Sequence, residues 1–419
     1  MERSLEFIHS LYRKGVKPGL HRVSALLHAL GDPQSRLRFV HIAGTNGKGS
    51  TAAMTASILR QAGYRVGLFT SPYIYRFNER IQVNGIQIPD EQVVALTARL
   101  RTLSQALPEM PTEFDFVTAM AMTYFAAEGC DIVVLEVGVG GALDSTNCIH
   151  APEVAVITNI GLDHTQLLGD TVAEIATVKA GIIKEGCYAV VYRGEPAVEQ
   201  VYETLCKEKN VPLVKADFEG IVRRSHGLEG QCFDCGRRKG LRLPLLGEHQ
   251  LHNAAVVLSV IDSLIARGWQ ISEDAIRKGL AQVRWPGRFD IVNKEPLFII
   301  DGGHNPQCIE ALVCNIRDYL AGRRIIVLTG VLADKDYADM FRPVMQYVEE
   351  FVCITPDNPR KMDGADLARY LTRAGAVATA CPDIPRGVQA AIEKAGAEGV
   401  VLCFGSLYTI GAVHRALEK

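Results

Sequence analysis

A glycine-rich turn, Gly-Thr-Asn-Gly-Lys-Gly-Ser at residues 44–50, is the part of this sequence best suited to chemistry. It follows an apolar run and opens a segment with helical periodicity. Glycines let backbone N–H groups approach an anion, the helix start adds the positive end of its dipole, and Lys48 supplies a charge for the outer phosphates. The turn therefore predicts a nucleoside triphosphate site, with a purely structural turn as the alternative. The residues of the predicted site are Gly44, Thr45, Asn46, Gly47, Lys48, Gly49 and Ser50.

Three side chains that could bind a metal ion follow the ends of three predicted strands. Phosphoryl transfer requires a cation to offset the charge of the triphosphate, and Mg2+ prefers oxygen ligands. Glu136 lies at the carboxyl end of a predicted strand, facing the crevice where α/β sheets bind ligands. Ser71 and His164 follow two other strands and could converge with it. The alternatives are a surface carboxylate for Glu136 and a structural histidine for His164, because imidazole is an unusual Mg2+ ligand.

A lysine stands in an apolar segment. Lys179 is surrounded by Ile, Ala and Val in a helical pattern over residues 174–182, where an unpaired ammonium would be costly. Either the side chain reaches solvent along its aliphatic stem, or it adopts another chemical form.

The elements that must position these residues alternate between strand and helix. From Arg38 onward, short β-branched runs precede longer amphipathic segments, which is typical of a mostly parallel sheet with crossover helices. The pattern predicts an α/β fold whose N-terminal domain is a P-loop, doubly wound, mostly parallel sheet. The predicted strands include residues 39–43, 65–69, 132–137 and 154–158, and the predicted helices include 49–62, 113–128 and 251–266.

A second strand-and-helix series begins near Asp290. Before it, residues 219–244 are rich in Gly, Arg and Cys and indicate hairpins, and the turn-forming residues 284–287 end the helical pattern. Strands are expected at 297–301, 324–329, 351–355 and 400–404. We therefore predict an ATP-binding domain at 1–287 and a smaller Rossmann-like α/β domain at 288–419, with a cleft between them.

Composition limits the class of protein. An apolar fraction of 48% and a charged fraction of 22% are those of a globular chain, and its 419 residues suggest two or three domains. Lys and Arg total 45 against 47 Asp and Glu, so no global positive field favours nucleic acid. The absence of a signal-peptide pattern and of a membrane-length apolar run, together with eleven scattered cysteines, predicts a cytoplasmic protein with reduced thiols. Cys232, Cys235 and His226 are one ligand short of a structural zinc site.

The spacing Gly-Thr-x-Gly-Lys resembles the Mur ligase superfamily, and the added Gly-Ser resembles its folylpolyglutamate synthase and dihydrofolate synthase branch. Further motifs extend the resemblance, in the same order, over nearly the whole chain. They are Ser-Pro at 71–72, Arg-Phe-Asn-Glu-Arg-Ile at 76–81, Leu-Asp-Ser-Thr-Asn at 143–147, Gly-Leu-Asp-His at 161–164, Lys-Ala-Gly-Ile at 179–182, Pro-Gly-Arg-Phe at 286–289 and Asp-Gly-Gly-His-Asn-Pro at 301–306.

The resemblance implies roles for individual residues. It implies ATP contacts at Asn253, Arg288 and Asp301, in addition to the glycine-rich turn. It implies Mg2+ ligands at Ser71, Glu136 and His164, and a carboxylated Lys179 that serves a second Mg2+ ion. Lys48, Lys179 and His304 would act in catalysis, and Asp144 would contact dihydropteroate.

The function implied by the resemblance is ATP-dependent addition of L-glutamate to a folate, and in some members to dihydropteroate, through an acyl phosphate. Tyr73 and Ala142 depart from residues common in the family, so the choice between pterin and folate-tail substrates stays open. Two alternatives remain: a Mur-type ligase for another acceptor, and a nucleotide-operated switch without ligation. We expect a monomer that binds neither nucleic acid nor a membrane.

Overall fold

The strands of the first half of the chain form one mostly parallel sheet. The computed structural model describes residues 1–12, 18–303, 305–333, 337–358 and 360–418. The strands of this sheet are β1 (Phe39–Ala43), β2 (Val66–Phe69), β3 (Ile81–Val83), β4 (Ile86–Gln87), β5 (Ile132–Glu136), β6 (Val154–Ile157), β7 (Tyr188–Val191) and β8 (Leu213–Lys215). Their order is β4-β3-β2-β5-β1-β6-β7-β8, and only the β2-β3-β4 edge is antiparallel. The chain therefore reverses its direction of winding at β1, which lies between β5 and β6.

Helices cover both faces of this sheet, which is why β1, β5 and β6 are buried along their whole length. One face packs mainly on the helices Lys48–Gln61 and Glu248–Ala266, and the other on the helices Asp90–Ser104 and Glu113–Ala127. The helices of this part are α1 (Glu2–Ser10), α2 (His21–Ala29), α3 (Lys48–Gln61), α4 (Asp90–Ser104), α5 (Glu113–Ala127), α6 (Thr165–Leu168), α7 (Val172–Ala180), α8 (Pro196–Glu208), α9 (Glu248–Ala266) and α10 (Glu273–Gln282), with short 3-10 turns at Pro33–Arg36, Phe77–Arg80 and Ser145–Cys148.

A small antiparallel sheet precedes α9. It consists of β9 (Ile221–Gly227), β10 (Gly230–Cys235) and β11 (Arg238–Leu243) in the order β11-β10-β9. This confirms the hairpins predicted for residues 219–244. In the described part of the chain, Cys232 and Cys235 belong to no cluster of metal-binding side chains.

A second α/β unit follows. Its strands are β12 (Asp290–Lys294), β13 (Leu297–Ile300), β14 (Ile325–Thr329), β15 (Glu350–Cys353), β16 (Ala378–Ala380) and β17 (Val400–Phe404), in the order β12-β13-β17-β14-β15-β16. Its helices are α11 (Pro306–Tyr319), α12 (Tyr337–Met345), α13 (Gly364–Arg373), α14 (Ile384–Ala395) and α15 (Leu407–Leu417). Only β12 is antiparallel to its neighbour.

The predicted fold class is confirmed, and the predicted strands and helices differ from the observed ones by at most three residues at their ends. The division at residues 287 and 288 stays a prediction. A search of the described residues for a helix with the length and hydropathy of a membrane span found none.

Candidate active site

The glycine-rich turn joins β1 to α3 at the point where the sheet reverses direction. Two glycines are required there by close contacts. Gly44 has φ +151° and lies against the side chain of Thr158, so a Cβ would overlap the threonine hydroxyl. Gly47 has φ +86°, and a Cβ there would lie 2.5 Å from Asn253 Oδ1. The turn is thus held between the loop after β6 and helix α9, with α3 starting at its end, as an anion site requires.

Two lysine ammonium groups meet at one carbonyl of this turn. Lys48 Nζ donates to the Gly44 and Thr45 carbonyl oxygens, at 3.1 Å each. Lys179 Nζ donates to the same Gly44 oxygen at 2.8 Å. The structure therefore brings together two residues that are far apart in the sequence and were both predicted to act in catalysis.

Lys179 is only 4% exposed on the last turn of α7. Burial, and next to it the positive charge of Lys48, lower the pKa of the Lys179 amine to about 7. A substantial fraction of this amine is neutral at neutral pH. The side chain is buried rather than extended to solvent, which excludes the solvent-reaching alternative.

Glu136 is the last residue of β5 and is 4% exposed. Its Oε2 accepts a 3.0 Å hydrogen bond from the Ser71 N–H, which follows β2 in the neighbouring position of the sheet. Burial raises the pKa of this carboxyl, while the charges of Lys48 and Arg288 and the Ser71 hydrogen bond oppose the rise. Glu136 is therefore not a surface carboxylate, and that alternative is wrong. The positive charges that act on it are those of Lys48 and Arg288.

Helix α9 lies against one side of the glycine-rich turn. Asn253 is 4% exposed, packs on Gly47 and donates to Gln250 Oε1 at 3.0 Å. Gln250 Nε2 in turn donates to Ser50 Oγ at 3.3 Å. The predicted nucleotide residues Asn253 and Ser50 are thus connected through Gln250.

Arg288 and Asp301 bring charges from the second α/β unit. The Arg288 guanidinium opposes the rise in pKa that burial causes at both Glu136 and Asp301, so its charge acts on both carboxylates. Asp301 accepts hydrogen bonds from the Phe289 N–H at 2.9 Å and the Gly303 N–H at 2.7 Å. A charge from the second unit therefore acts on Glu136 of the first unit.

Asp144 is the centre of a buried polar network. Its Oδ1 accepts from the Thr146 N–H at 3.0 Å and from the Thr146 hydroxyl at 2.5 Å, and its Oδ2 accepts from the Val139 N–H at 3.1 Å. The Thr146 oxygen also lies 2.9 Å from His41 Nε2. Because the single hydroxyl proton goes to Asp144, His41 donates here through Nε2. Burial raises the pKa of Asp144 and lowers that of His41 to about 3.

His164 lies in the loop after β6 with φ +52°, and its side chain is about half exposed. Among the described residues, no group of three or more His, Cys, Asp and Glu side chains is assembled for a metal ion. The ligand set of Ser71, Glu136, His164 and a carboxylated Lys179 thus stays a prediction. His304 lies outside the described residues.

Sequence analysis missed three polar residues at this site. Gln250 lies three residues before Asn253 on one helix face, so helical spacing could have indicated it. Asn305 and Gln307 contact Asn46, and no local pattern identifies that contact.

Two family models together match most of the chain. The Mur ligase middle domain matches residues 42–261, and the Mur ligase, glutamate ligase domain matches residues 287–407. The first range contains the glycine-rich turn, Glu136 and Lys179, and the second contains Arg288 and Asp301. The fold and the site therefore define a ligase of the Mur class.

Similarity to individual known proteins identifies the family within the Mur class. The chain is 38% identical to the dihydrofolate synthase/folylpolyglutamate synthase of Bacillus subtilis, over 98% of each chain. It is similar to the structure of Escherichia coli FolC in complex with DHPP and ADP, with a TM-score of 0.87, 32% identity and coverage of 100% of this chain and 97% of that one. A Mycobacterium tuberculosis folylpolyglutamate synthase complexed with ADP and AMPPCP has a TM-score of 0.90 and 31% identity, over 100% and 99% of the two chains. This chain belongs to the folylpolyglutamate and dihydrofolate synthase family, as its motifs predicted.

Proposed function

We propose that this protein is an ATP-dependent ligase that adds L-glutamate to a folate through an acyl phosphate and releases ADP and phosphate. The observation that carries the proposal is the meeting of Lys48, Lys179 and Glu136 at the glycine-rich turn, where β1 and β5 end. Nucleotides occupy the related M. tuberculosis and E. coli structures, which supports ATP as the substrate here.

The proposed reaction has two steps. A folate carboxylate oxygen attacks the γ-phosphorus of ATP, and the bond to the β,γ-bridging oxygen breaks to leave ADP and an acyl phosphate. The amine of L-glutamate then attacks the acyl carbon. The C–O bond to phosphate breaks, the nitrogen loses a proton, and an amide remains.

Lys48 stabilises charge on the transferring phosphoryl group. Its ammonium bonds the carbonyl oxygens of Gly44 and Thr45, so it can turn to phosphate oxygens without leaving a carboxylate partner behind. Asn253, Arg288 and Asp301 contact ATP from the two walls of the cleft. His304 completes the proposed catalytic set.

Mg2+ fits the donors at this site. Glu136 is buried, and the described residues give its carboxylate one hydrogen bond, from Ser71. When bound, Mg2+ would offset charge on the triphosphate and orient its oxygens. We assign Ser71, Glu136 and His164 to one ion, and a carboxylated Lys179 to a second.

Carboxylation of Lys179 is chemically consistent with its surroundings. A neutral amine attacks CO2, a C–N bond forms, and one proton is released to leave a carbamate. The lowered pKa of Lys179 supplies the neutral amine. The negative carbamate would also remove the repulsion between Lys179 and Lys48.

Dihydropteroate is proposed as a second substrate, bound at Asp144. Gly138 packs against the ring of Phe114 and the carboxylate of Asp144, because a Cβ added to it would lie 2.6 Å from the ring and 3.2 Å from Asp144 Oδ2; an aromatic ring and a carboxylate are therefore neighbours. A planar pterin with N–H donors matches that combination. Comparing turnover of dihydropteroate with that of a reduced folate monoglutamate tests this assignment.

The activity is tested by measuring ADP and phosphate with MgATP while folate or L-glutamate is omitted in turn. Sustained ADP release is expected only with both present, and Lys48→Met should reduce kcat by about 100-fold or more. Lys278→Met, at an exposed lysine of α10, is the matched control and should leave kcat unchanged. Release of AMP would contradict the proposal, and ATP binding without substrate-dependent turnover would favour a nucleotide-operated switch.

We also propose that the enzyme is monomeric and cytoplasmic, and that it has neither nucleic acid nor membrane partners.

A further inference from the structure

The side chain of Asn46, in the middle of the glycine-rich turn, is held by the first turn of α11 from the other α/β unit. Asn46 Nδ2 donates to Gln307 Oε1 at 2.9 Å. Asn46 Oδ1 accepts from Asn305 Nδ2 at 2.9 Å and from the Cys308 thiol at 3.3 Å. Both ends of the Asn46 amide are therefore used by a helix that lies about 260 residues away in sequence.

Gln307 contacts a second loop of the first unit at the same time. Its Nε2 donates to the Ile160 carbonyl oxygen at 3.3 Å, and its amide packs on Gly161, where any side chain would overlap it. Gln307 thus joins the loop after β1 to the loop after β6. These are the two strand ends that border the nucleotide crevice.

The side-chain amide of Asn305 makes hydrogen bonds through both its oxygen and its nitrogen. It is only 6% exposed, and its Oδ1 accepts from the Cys308 N–H at 3.0 Å, which caps α11. Its Nδ2 is then aimed at Asn46. The cap and the contact with the turn use opposite ends of one amide, so the start of α11 has a defined position relative to the glycine-rich turn.

The C-terminal end of α11 also contacts the first unit. The Tyr319 hydroxyl accepts from the Gly247 N–H at 3.1 Å, directly before α9, and Asp318 pairs with Arg223 of β9 at 2.6 Å. A helix of 14 residues is about 20 Å long, so contacts at its two ends fix its direction. A Cβ added to Gly303 would lie 3.0 Å from the Cys308 Cβ, so the segment from Asp301 to Gly303 packs on the first turn of α11 and is positioned with it.

We propose that Asn305 and Gln307 are positioning residues that use Asn46 to place the Asp301–Gly303 segment over the bound triphosphate. This inference rests on the proposed function, because it assigns nucleotide to the glycine-rich turn. Breaking the contact leaves the turn and the segment individually intact but no longer aligned. Nucleotide then binds more weakly, and the acyl phosphate is exposed to water before glutamate reaches it.

Gln307→Met tests the proposal because it keeps the side-chain length and removes both amide hydrogen bonds. We expect affinity for AMPPCP, measured by titration calorimetry, to fall roughly tenfold. We also expect more ADP released per amide formed. Gln389→Met makes the same change on an exposed face of α14 and should alter neither quantity.

A double-mutant cycle separates positioning from general stability. In an Asn46→Ala background, the added effect of Gln307→Met on AMPPCP affinity should shrink to within about twofold, while thermal unfolding of the unliganded single variant stays near that of the parent. Equal effects of Gln307→Met with and without Asn46 would overturn the inference. So would unchanged AMPPCP affinity in Gln307→Met alone. A parent protein that binds no AMPPCP would overturn the proposed function together with it.

Discussion

At the scale of single residues, the buried amine of Lys179 has the clearest chemical consequence. It shares the Gly44 carbonyl with Lys48, and burial and that neighbouring charge hold its pKa at about 7. Two cations at one carbonyl oxygen are unfavourable, and conversion of one to an anion removes the conflict. This is the physical reason for our proposal that Lys179 is carboxylated, beside the resemblance.

We predict that activity at limiting bicarbonate rises as pH increases through about 7. The neutral amine is the form that attacks CO2, and it predominates above the lowered pKa of Lys179. Added bicarbonate should shift the midpoint of the pH profile of kcat to lower pH. Lys179→Arg keeps a positive charge but cannot be carboxylated in this way, so its kcat should be at least about 100-fold lower. A profile that is insensitive to bicarbonate would contradict the prediction.

At the scale of elements, a buried ion pair joins α2 to α5. The Arg22 Nε donates to Asp115 Oδ2 at 3.2 Å, and the two side chains are 6% and 2% exposed. Asp115 Oδ1 also accepts from the Ser145 hydroxyl at 2.7 Å, next to Asp144. The pair thus connects the packing of two helices to the loop that carries the proposed substrate residue.

Removing one partner of this pair should destabilise the fold strongly. Arg22→Met leaves the buried Asp115 carboxylate without its cation, and we expect the free energy of unfolding to fall by about 3–5 kcal/mol. Denaturant unfolding measures the change. Arg324→Ala breaks an exposed pair with Glu349 and should cost at most about 1 kcal/mol. If the two variants lost similar amounts of free energy of unfolding, burial would not be the reason for the contribution of the Arg22–Asp115 pair to stability.

At the scale of the whole molecule, the two α/β units are not packed independently. Leu246, which precedes α9, is buried in the same hydrophobic cluster as Phe289 and the core of the second sheet. The β9–β11 sheet reaches α11 through Arg223 and Asp318. We propose that the division between the units falls at residues 287 and 288, but that each unit contributes to the stability of the other.

We therefore predict a single thermal unfolding transition for the protein. Separation of the units would expose the hydrophobic cluster around Leu246 and break the hydrogen bonds at both ends of α11, so neither unit should unfold alone. Differential scanning calorimetry measures the calorimetric and van't Hoff enthalpies, which should agree. Two resolved transitions, or a van't Hoff enthalpy well below the calorimetric one, would contradict this coupling.

Local sequence determined the elements and the chemistry of the turn. Runs of β-branched residues, helical spacing and segments rich in Gly are properties of neighbouring residues, so β1, α3 and the hairpins after α8 could be predicted from them. The residue types at 44–50 likewise predict an anion site, because glycine backbones and a helix start act locally. The role predicted for Glu136 came from strand position and resemblance together, and the role predicted for Asp144 came from resemblance alone.

Tertiary structure decided which of these residues meet. The shared Gly44 carbonyl joins Lys48 to Lys179 across 131 positions, and the contact of Asn46 with Asn305 and Gln307 spans about 260. The order of strands in a sheet and the docking of two units set such distances, and neither is encoded in spacing along the chain. For the same reason the lowered pKa of Lys179 could not be predicted, since burial and a neighbouring charge exist only after the chain has folded.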